Sequence, residues 1–220
     1  MFYDVKVNNS EEENGNSIYQ WEDSSSNDND AKYPALNGNC PNTIDHLSVR
    51  PTFEAASLNG YDSVKFDDSF LEIENLNIGS GVAPNITMFA VLNHCGGSHN
   101  AFLVGLGNNY SKRKWKVTSH SDDRTAGIAN IMTANYSSNS PSQNYWTNGV
   151  QEIPAAETYS QTGTGVGIGS LLYAWYGYHG AYYTCINLGE LIIYQSTLSS
   201  SERESVELYL SNKWNISISD

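Results

Sequence analysis

The chain predicts an all-β fold, an antiparallel two-sheet β-sandwich of jelly-roll type closed by one C-terminal α-helix. Short apolar runs recur at intervals of roughly ten to fifteen residues, with turn residues between them. Helical periodicity, in contrast, is strong at one place only, near the C-terminus. Aromatic residues make up 12% of the 220, with fifteen Tyr and five Trp, which is enough for a substantial core. Sandwiches of this length commonly form one unit, and the whole chain, 1–220, is expected to be a single domain.

Residues 1–19 are expected to form an irregular N-terminal edge. Met1 to Val5 has neither the basic start nor the apolar run of a signal peptide, and 8–17 is a polar, acidic loop. Residues 18–31 combine an aromatic anchor with side chains that bond their own backbone, a structured turn. An irregular stretch ending at Arg50-Pro51 follows. Strands are then expected at Val64–Phe66, Phe70–Ile73, Ile86–Leu92, Ala101–Leu106, Arg113–Ser119 and Gly127–Thr133. In the fifth of these, Trp115 and Val117 alternate with Lys114 and Lys116, so one face is buried and the other wet. Residues 135–144 read as a surface loop, and Asn148-Gly149 as a hairpin turn between Tyr145–Thr147 and Val150–Glu152. Leu191–Tyr194 suits a buried strand. Ser199-Ser200-Ser201-Glu202 is a capping box, and Val206, Leu210 and Trp214 give the helix over 199–214 its apolar face, with Tyr209 and the Lys213 stem beside them.

Eleven basic and 24 acidic residues leave a net charge of −13, a field that repels phosphate backbones and argues against nucleic-acid binding. No apolar run is long enough to span a membrane. Cys40, Cys95 and Cys185 are odd in number and widely spaced. They form no disulfide framework, and free, mostly buried thiols are expected, with one bridge as the alternative.

Several pieces, in order, resemble one pattern. Trp21-Glu22-Asp23-Ser24 with Asn27 to Ala31, Arg50-Pro51-Thr52, Asn59-Gly60 with Val64 to Asp67, Ile86 to Val91, Trp146 to Val150, Val166 to Gly169 and Gly189 to Trp214 are similar to the motifs of laminin-G-like domains. These belong to the concanavalin-A-like lectin and glucanase superfamily and occur in phage and bacterial surface proteins. The resemblance covers roughly residues 20–216 and implies the sandwich with its terminal helix; it implies no activity. The chain departs from the pattern at Ser25-Ser26 and Asp68, where glycines are usual, and in its eroded first strand, Phe2 to Val5.

Glucanases of this superfamily use paired carboxylates on one strand. Retaining chemistry needs them about 5–5.5 Å apart. Glu72-Ile73-Glu74 is the nearest approach here, lacks a third acid, and is equally an exposed strand face; no catalytic residue is assigned. His94-Cys95 and His99 offer metal ligands without the second pair a zinc site needs, so a glycine turn is preferred. Asp23, Asp28 and Asp30 offer oxygens to calcium and equally build a turn, and no cofactor is assigned. No nucleophile elbow, phosphate loop or dinucleotide fingerprint occurs.

The uncharged run Thr158–Gly189 contains Tyr173, Trp175, Tyr176, Tyr178, His179, Tyr182 and Tyr183. Six such rings represent roughly 900–1,500 Å², whereas the largest exposed apolar patch of a monomer is about 300–600 Å². Some must pack in the core, and the rest are expected to bind a protein partner or a glycan. The expected function is a non-enzymatic structural and adhesion module of a virus particle, such as a phage decoration, tail or fibre protein, presenting a glycan-binding face. Its partners would be other virion proteins or further copies of itself in a homo-oligomer, with cell-surface glycan as ligand. It would be made in the host cytoplasm and reside on the particle surface. A soluble carbohydrate-binding lectin is the alternative, and a glycoside hydrolase the third.

Overall fold

The computed structural model describes residues 2–4, 14–33, 50–67, 69–73, 85–95, 101–106, 114–117, 127–137, 140–152, 166–169 and 185–219. Fourteen strands and one helix follow in order: β1 (Phe2–Asp4), β2 (Gln20–Trp21), β3 (Ala31–Lys32), β4 (Thr52–Leu58), β5 (Tyr61–Asp67), β6 (Leu71–Ile73), β7 (Ile86–His94), β8 (Ala101–Leu106), β9 (Lys114–Val117), β10 (Asn130–Ser137), β11 (Ser140–Thr147), β12 (Val150–Glu152), β13 (Val166–Ile168), β14 (Cys185–Tyr194) and α1 (Ser200–Trp214). An eight-stranded sheet runs β12-β11-β10-β7-β14-β5-β4, with β1 added beside β14, and a six-stranded sheet runs β2-β3-β6-β13-β8-β9. All pairings are antiparallel.

The two central strands of the larger sheet are buried on both faces, and their alternation assigns each side chain to one of two cores. Along β7, Ile86, Met88, Ala90 and Leu92 join Trp21, Phe66, Leu71, Ile73, Val104, Val166 and Ile168 between the sheets. Phe89 and Val91 point the other way, into a second core with Leu58, Ile131, Ile192, Leu210 and Trp214 under α1. Strand β14 does the same with one interruption. Its register with β7 shifts between Leu188 and Glu190, so Ile186, Leu188, Leu191 and Ile193 all reach the inter-sheet core, while Glu190 and Ile192 turn to the helix.

Gly189 occupies that bulge because of what lies on it. A Cβ there would stand 2.6 Å from Cζ3 of Trp214 and 2.7 Å from Cδ2 of Leu58. The indole Nε1 donates to Glu190 Oε2 at 2.5 Å, Lys213 Nζ stands 3.1 Å from the same oxygen, and Tyr209 donates to Oε1 at 3.3 Å. Glu190 is fully buried. A second inward carboxylate, Glu207, accepts from Thr133 at 2.6 Å and from Arg203 at 2.5 Å, and the Arg203 guanidinium lies 4.4 Å from the centroid of the Trp146 ring. Both acids meet a cation and a neutral donor, which offsets the cost of burying them.

Ser199 caps α1, and the reciprocal box forms: Ser199 N donates to Glu202 Oε2 at 2.8 Å, and Glu202 N to the Ser199 hydroxyl at 3.4 Å. The buried face differs from the expected one. Leu210 and Trp214 are on it, but Arg203 and Glu207 take the first two turns, and Val206 is only half-buried. At the far end, Asn59 of the β4–β5 turn donates to the carbonyls of Trp214 and Asn215, at 3.0 and 3.2 Å, and satisfies the helix C-terminus.

Three further expectations are corrected. Residues 135–144 are largely strand, since β10 extends to Ser137 and β11 begins at Ser140; polar sequence on a pleat that is wet on one face looks like a loop. The N-terminal edge is not irregular throughout, because Phe2–Asp4 pairs with Glu190–Ile192 of β14. Cys95 and Cys185 are bonded rather than free, across the neighbouring ends of β7 and β14. The other expected strands overlap observed ones, β10 beginning at Asn130 and not Gly127, and the Asn148-Gly149 hairpin forms with both turn residues at positive φ; β2, β3 and β4 are strands beyond those expected.

Gly189→Ala is expected to destabilise the protein by about 1–3 kcal/mol through overpacking, and to cost much less when Trp214 is already Ala. A chemical-denaturation double-mutant cycle measures the coupling, and additive costs would disprove it. The exposed Glu202 carboxyl is held below its ordinary value, chiefly by the Ser199 side chain and then by its amide. Because its folded value is depressed, its stabilising contribution is present above the unfolded value and disappears as pH falls through the folded one. Ser199→Ala should raise the Glu202 titration midpoint, followed by carboxyl-carbon NMR.

Candidate functional site

The two outer faces of the sandwich are unequal. Helix α1 closes the outer face of the eight-stranded sheet against Phe89, Val91, Ile131 and Ile192. Among the described elements, none lies over the outer face of the six-stranded sheet. Its strands put Trp21, Ala31, Leu71, Ile73, Val104, Val166 and Ile168 inward, so the alternate residues face out.

Register aligns those residues into one row across all six strands. Gln20 stands opposite Lys32, Lys32 opposite Glu72, Glu72 opposite Gly167, Gly167 opposite Gly105, and Gly105 opposite Lys114. With strands about 4.8 Å apart the row is about 24 Å long. Its middle holds two paired glycines, of which Gly167 is buried. One end is polar and organised: Gln20 Nε2 donates to Asp30 at 2.8 Å, and Lys32 Nζ is 3.6 Å from the same carboxylate. Glu72 is half-buried beside Gly167.

The row lies next to one rim of the sandwich. Gly169, two residues beyond Gly167, has a positive φ and sits against Phe66 and Ser69, where a Cβ would overlap the Phe66 ring. Phe66 pairs with Ile186, one residue past Cys185. The chain therefore leaves β13 and re-enters β14 at the same rim, where the Cys95–Cys185 bridge joins β7 to β14 and Cys95 N donates to Cys185 O at 3.2 Å. Tyr173, Trp175, Tyr176, Tyr178, His179, Tyr182 and Tyr183 belong to the segment between these two anchors and lie outside the described residues, as does Cys40.

The other sequence candidates fall as follows. Glu72 is on the outward row, and Glu74 lies outside the described residues. The Cys95 sulfur is committed to its bridge and is no thiolate ligand while that bond stands. Asp23 accepts from the amides of Ser25 and Asn29 at 2.9 and 3.2 Å, and Asp30 accepts the Asp23 amide at 3.1 Å. These carboxylates build the turn, and among the described residues no cluster of three metal-ligating side chains occurs. Sequence reading missed Gly105, Gly167, Lys32 and Gln20 as a set, because only cross-strand register brings them into line.

No family model and no curated protein sequence matches the chain. Solved structures do. Trypanosoma rangeli sialidase aligns over 96% of this chain with a TM-score of 0.57 at 11% identity. The same sialidase in complex with 2-keto-3-deoxy-D-glycero-D-galacto-2,3-difluoro-nononic acid aligns over 96% at a TM-score of 0.58 and 12% identity, and in complex with the inhibitor DANA over 94% at 0.57 and 11%. The likeness is one of fold, a β-sandwich. This chain spans about a third, 32%, of the sialidase's length.

The unfolded, unreduced protein should titrate one thiol, that of Cys40, and three after reduction. Three thiols before reduction would show that Cys95 and Cys185 do not pair.

Proposed function

We propose that the chain is a non-catalytic glycan-binding module, a laminin-G-like member of the concanavalin-A-like superfamily, with its ligand lying along the outer row of the six-stranded sheet. One observation carries this: register sets Gln20, Lys32, Glu72, Gly167, Gly105 and Lys114 in one line across a sheet over whose outer side no described helix lies. The polar groups of Gln20, Lys32 and Glu72 suit a saccharide, whose hydroxyls need donors and acceptors. A sandwich shared with a sialidase is compatible with this function without assigning it.

The module acts as an adhesion unit in an oxidising space, which the Cys95–Cys185 bridge favours over the cytoplasm. Placement on a virus particle remains the second proposal. It draws on the low charged share of 16%, and copurification with particles is its test. Catalysis is not proposed, since Glu72 has Gly167 and Lys32, not a second acid, as its cross-strand neighbours.

On a glycan array the wild-type protein should bind an oligosaccharide, and Glu72→Ala should weaken that binding about tenfold or more, with the thermal midpoint little changed. Trp175→Ala should lower the affinity likewise. Retained affinity in Glu72→Ala would remove the row from the site. Release of reducing ends from the bound glycan, lost in Glu72→Gln, would convert the module into a glycosidase.

A further inference from the structure

A cation at the edge of the six-stranded sheet has two aromatic rings and, among the described residues, no anion. Arg50 enters β4 through Pro51, and its backbone surroundings are pinned: Ile18 N donates to Pro51 O at 2.8 Å, Ser17 bridges to Thr52, and Tyr33 N donates to Tyr19 O at 2.8 Å. Tyr19 and Tyr33 flank the paired Gln20 and Lys32, the first two members of the outward row. The Arg50 guanidinium carbon lies 3.6 Å from the Tyr19 ring centroid and 5.1 Å from that of Tyr33. Tyr33 leans on Phe70, with centroids 6.1 Å apart, and packs on the inter-sheet core. The guanidinium therefore lies close over the Tyr19 ring, with the core-packed Tyr33 ring on its other approach.

No described carboxylate, carbonyl or hydroxyl accepts a hydrogen bond from Arg50, and its Nε is buried without a partner. Scarcity of acids does not explain this, because the chain has 24 of them against eleven cations. Lys32, Lys65, Arg203 and Lys213 each have a carboxylate, at 3.6, 3.5, 2.5 and 3.1 Å. Tyr19 keeps half of its surface exposed beside the cation.

We infer that Arg50 is the receptor for a carboxylate carried by the bound glycan, so that the ligand class is an acidic oligosaccharide. The inference rests on the glycan-binding function proposed above and names its substrate class. A guanidinium offers two parallel N–H donors that match a carboxylate, and stacking on a ring reduces its ordering cost on binding. The half-exposed Tyr19 ring provides an apolar surface for the sugar that bears the acid. The net charge of −13 repels densely charged polymers, which points to a glycan with one carboxylate rather than a polysulfated chain.

The test compares glucuronate-terminated and sialate-terminated trisaccharides with their methyl esters, which keep the sugar and remove the charge, by calorimetry at two salt concentrations. Wild-type protein should bind one of the acids about tenfold or more tighter than its ester, with the margin shrinking at higher salt. Arg50→Gln should bind acid and ester alike, near the wild-type affinity for the ester, and Arg50→Lys should retain part of the margin. Neutral and acidic ligands bound equally by wild type would overturn the inference and leave the glycan-binding function standing. A margin that survives Arg50→Gln would also overturn it, and would make the stack purely structural. Binding of no glycan, acidic or neutral, would sink both. The acid–ester comparison on wild-type protein is decisive even where Arg50→Gln does not fold.

Discussion

Trp214 seated on Gly189 is the contact on which the rest of the structure depends. Strands β7 and β14 are apolar on both faces, so the eight-stranded sheet needs two covers, and a sandwich provides only one. The helix is the second. It reaches the sheet because β14 has a bulge with no side chain at Gly189, and the indole enters the space a Cβ would take. The same bulge reverses the alternation of β14, presenting Glu190 to the indole N–H, Lys213 and Tyr209. Packing and polar satisfaction therefore come from one local irregularity. Removing Lys213 would leave the buried Glu190 carboxylate with only the neutral Trp214 and Tyr209 donors, a larger loss than a surface ion pair provides.

Closing one outer face fixes where the proposed glycan would lie. With α1 fixed on the eight-stranded sheet, the described elements leave the six-stranded sheet's outer face as the extended surface. Its row is made of residues chosen for the wet side of a pleat, interrupted by two glycines in register. A glycine in a strand interior weakens the strand, and two aligned on the outward side gain nothing for the core.

The rim joins the proposed site to the scaffold. Gly169 and Cys185 anchor the two ends of the aromatic segment close to Phe66, and the Cys95–Cys185 bridge secures the strand into which the segment returns. Arg50 lies at the adjoining sheet edge, connected through Tyr33 and Phe70. Under the proposed function, a sandwich end with its cation already stacked on a ring would lower the ordering cost of binding a sugar.

Local chemistry was enough for much of this. Helix α1 begins at Ser199 because a capping box is a four-residue signal, Asn148-Gly149 turns because both residues tolerate positive φ, and β7 is a strand because its apolar run is short and β-branched or aromatic in part. Where the physics is long-range, the sequence by itself was silent or misleading. It could not show that Arg203 and Glu207 lie beneath the helix, since charged residues are normally on the wet side and only Thr133 and Trp146, distant in the chain, make their burial tolerable. It could not pair Cys95 with Cys185 across 90 residues, or set Glu72, Gly167 and Gly105 side by side. Capping, turns and alternation are decided within a few residues along the chain; sheet register, the bridge and the company of Arg50 are decided between strands, and only the tertiary structure brings those together.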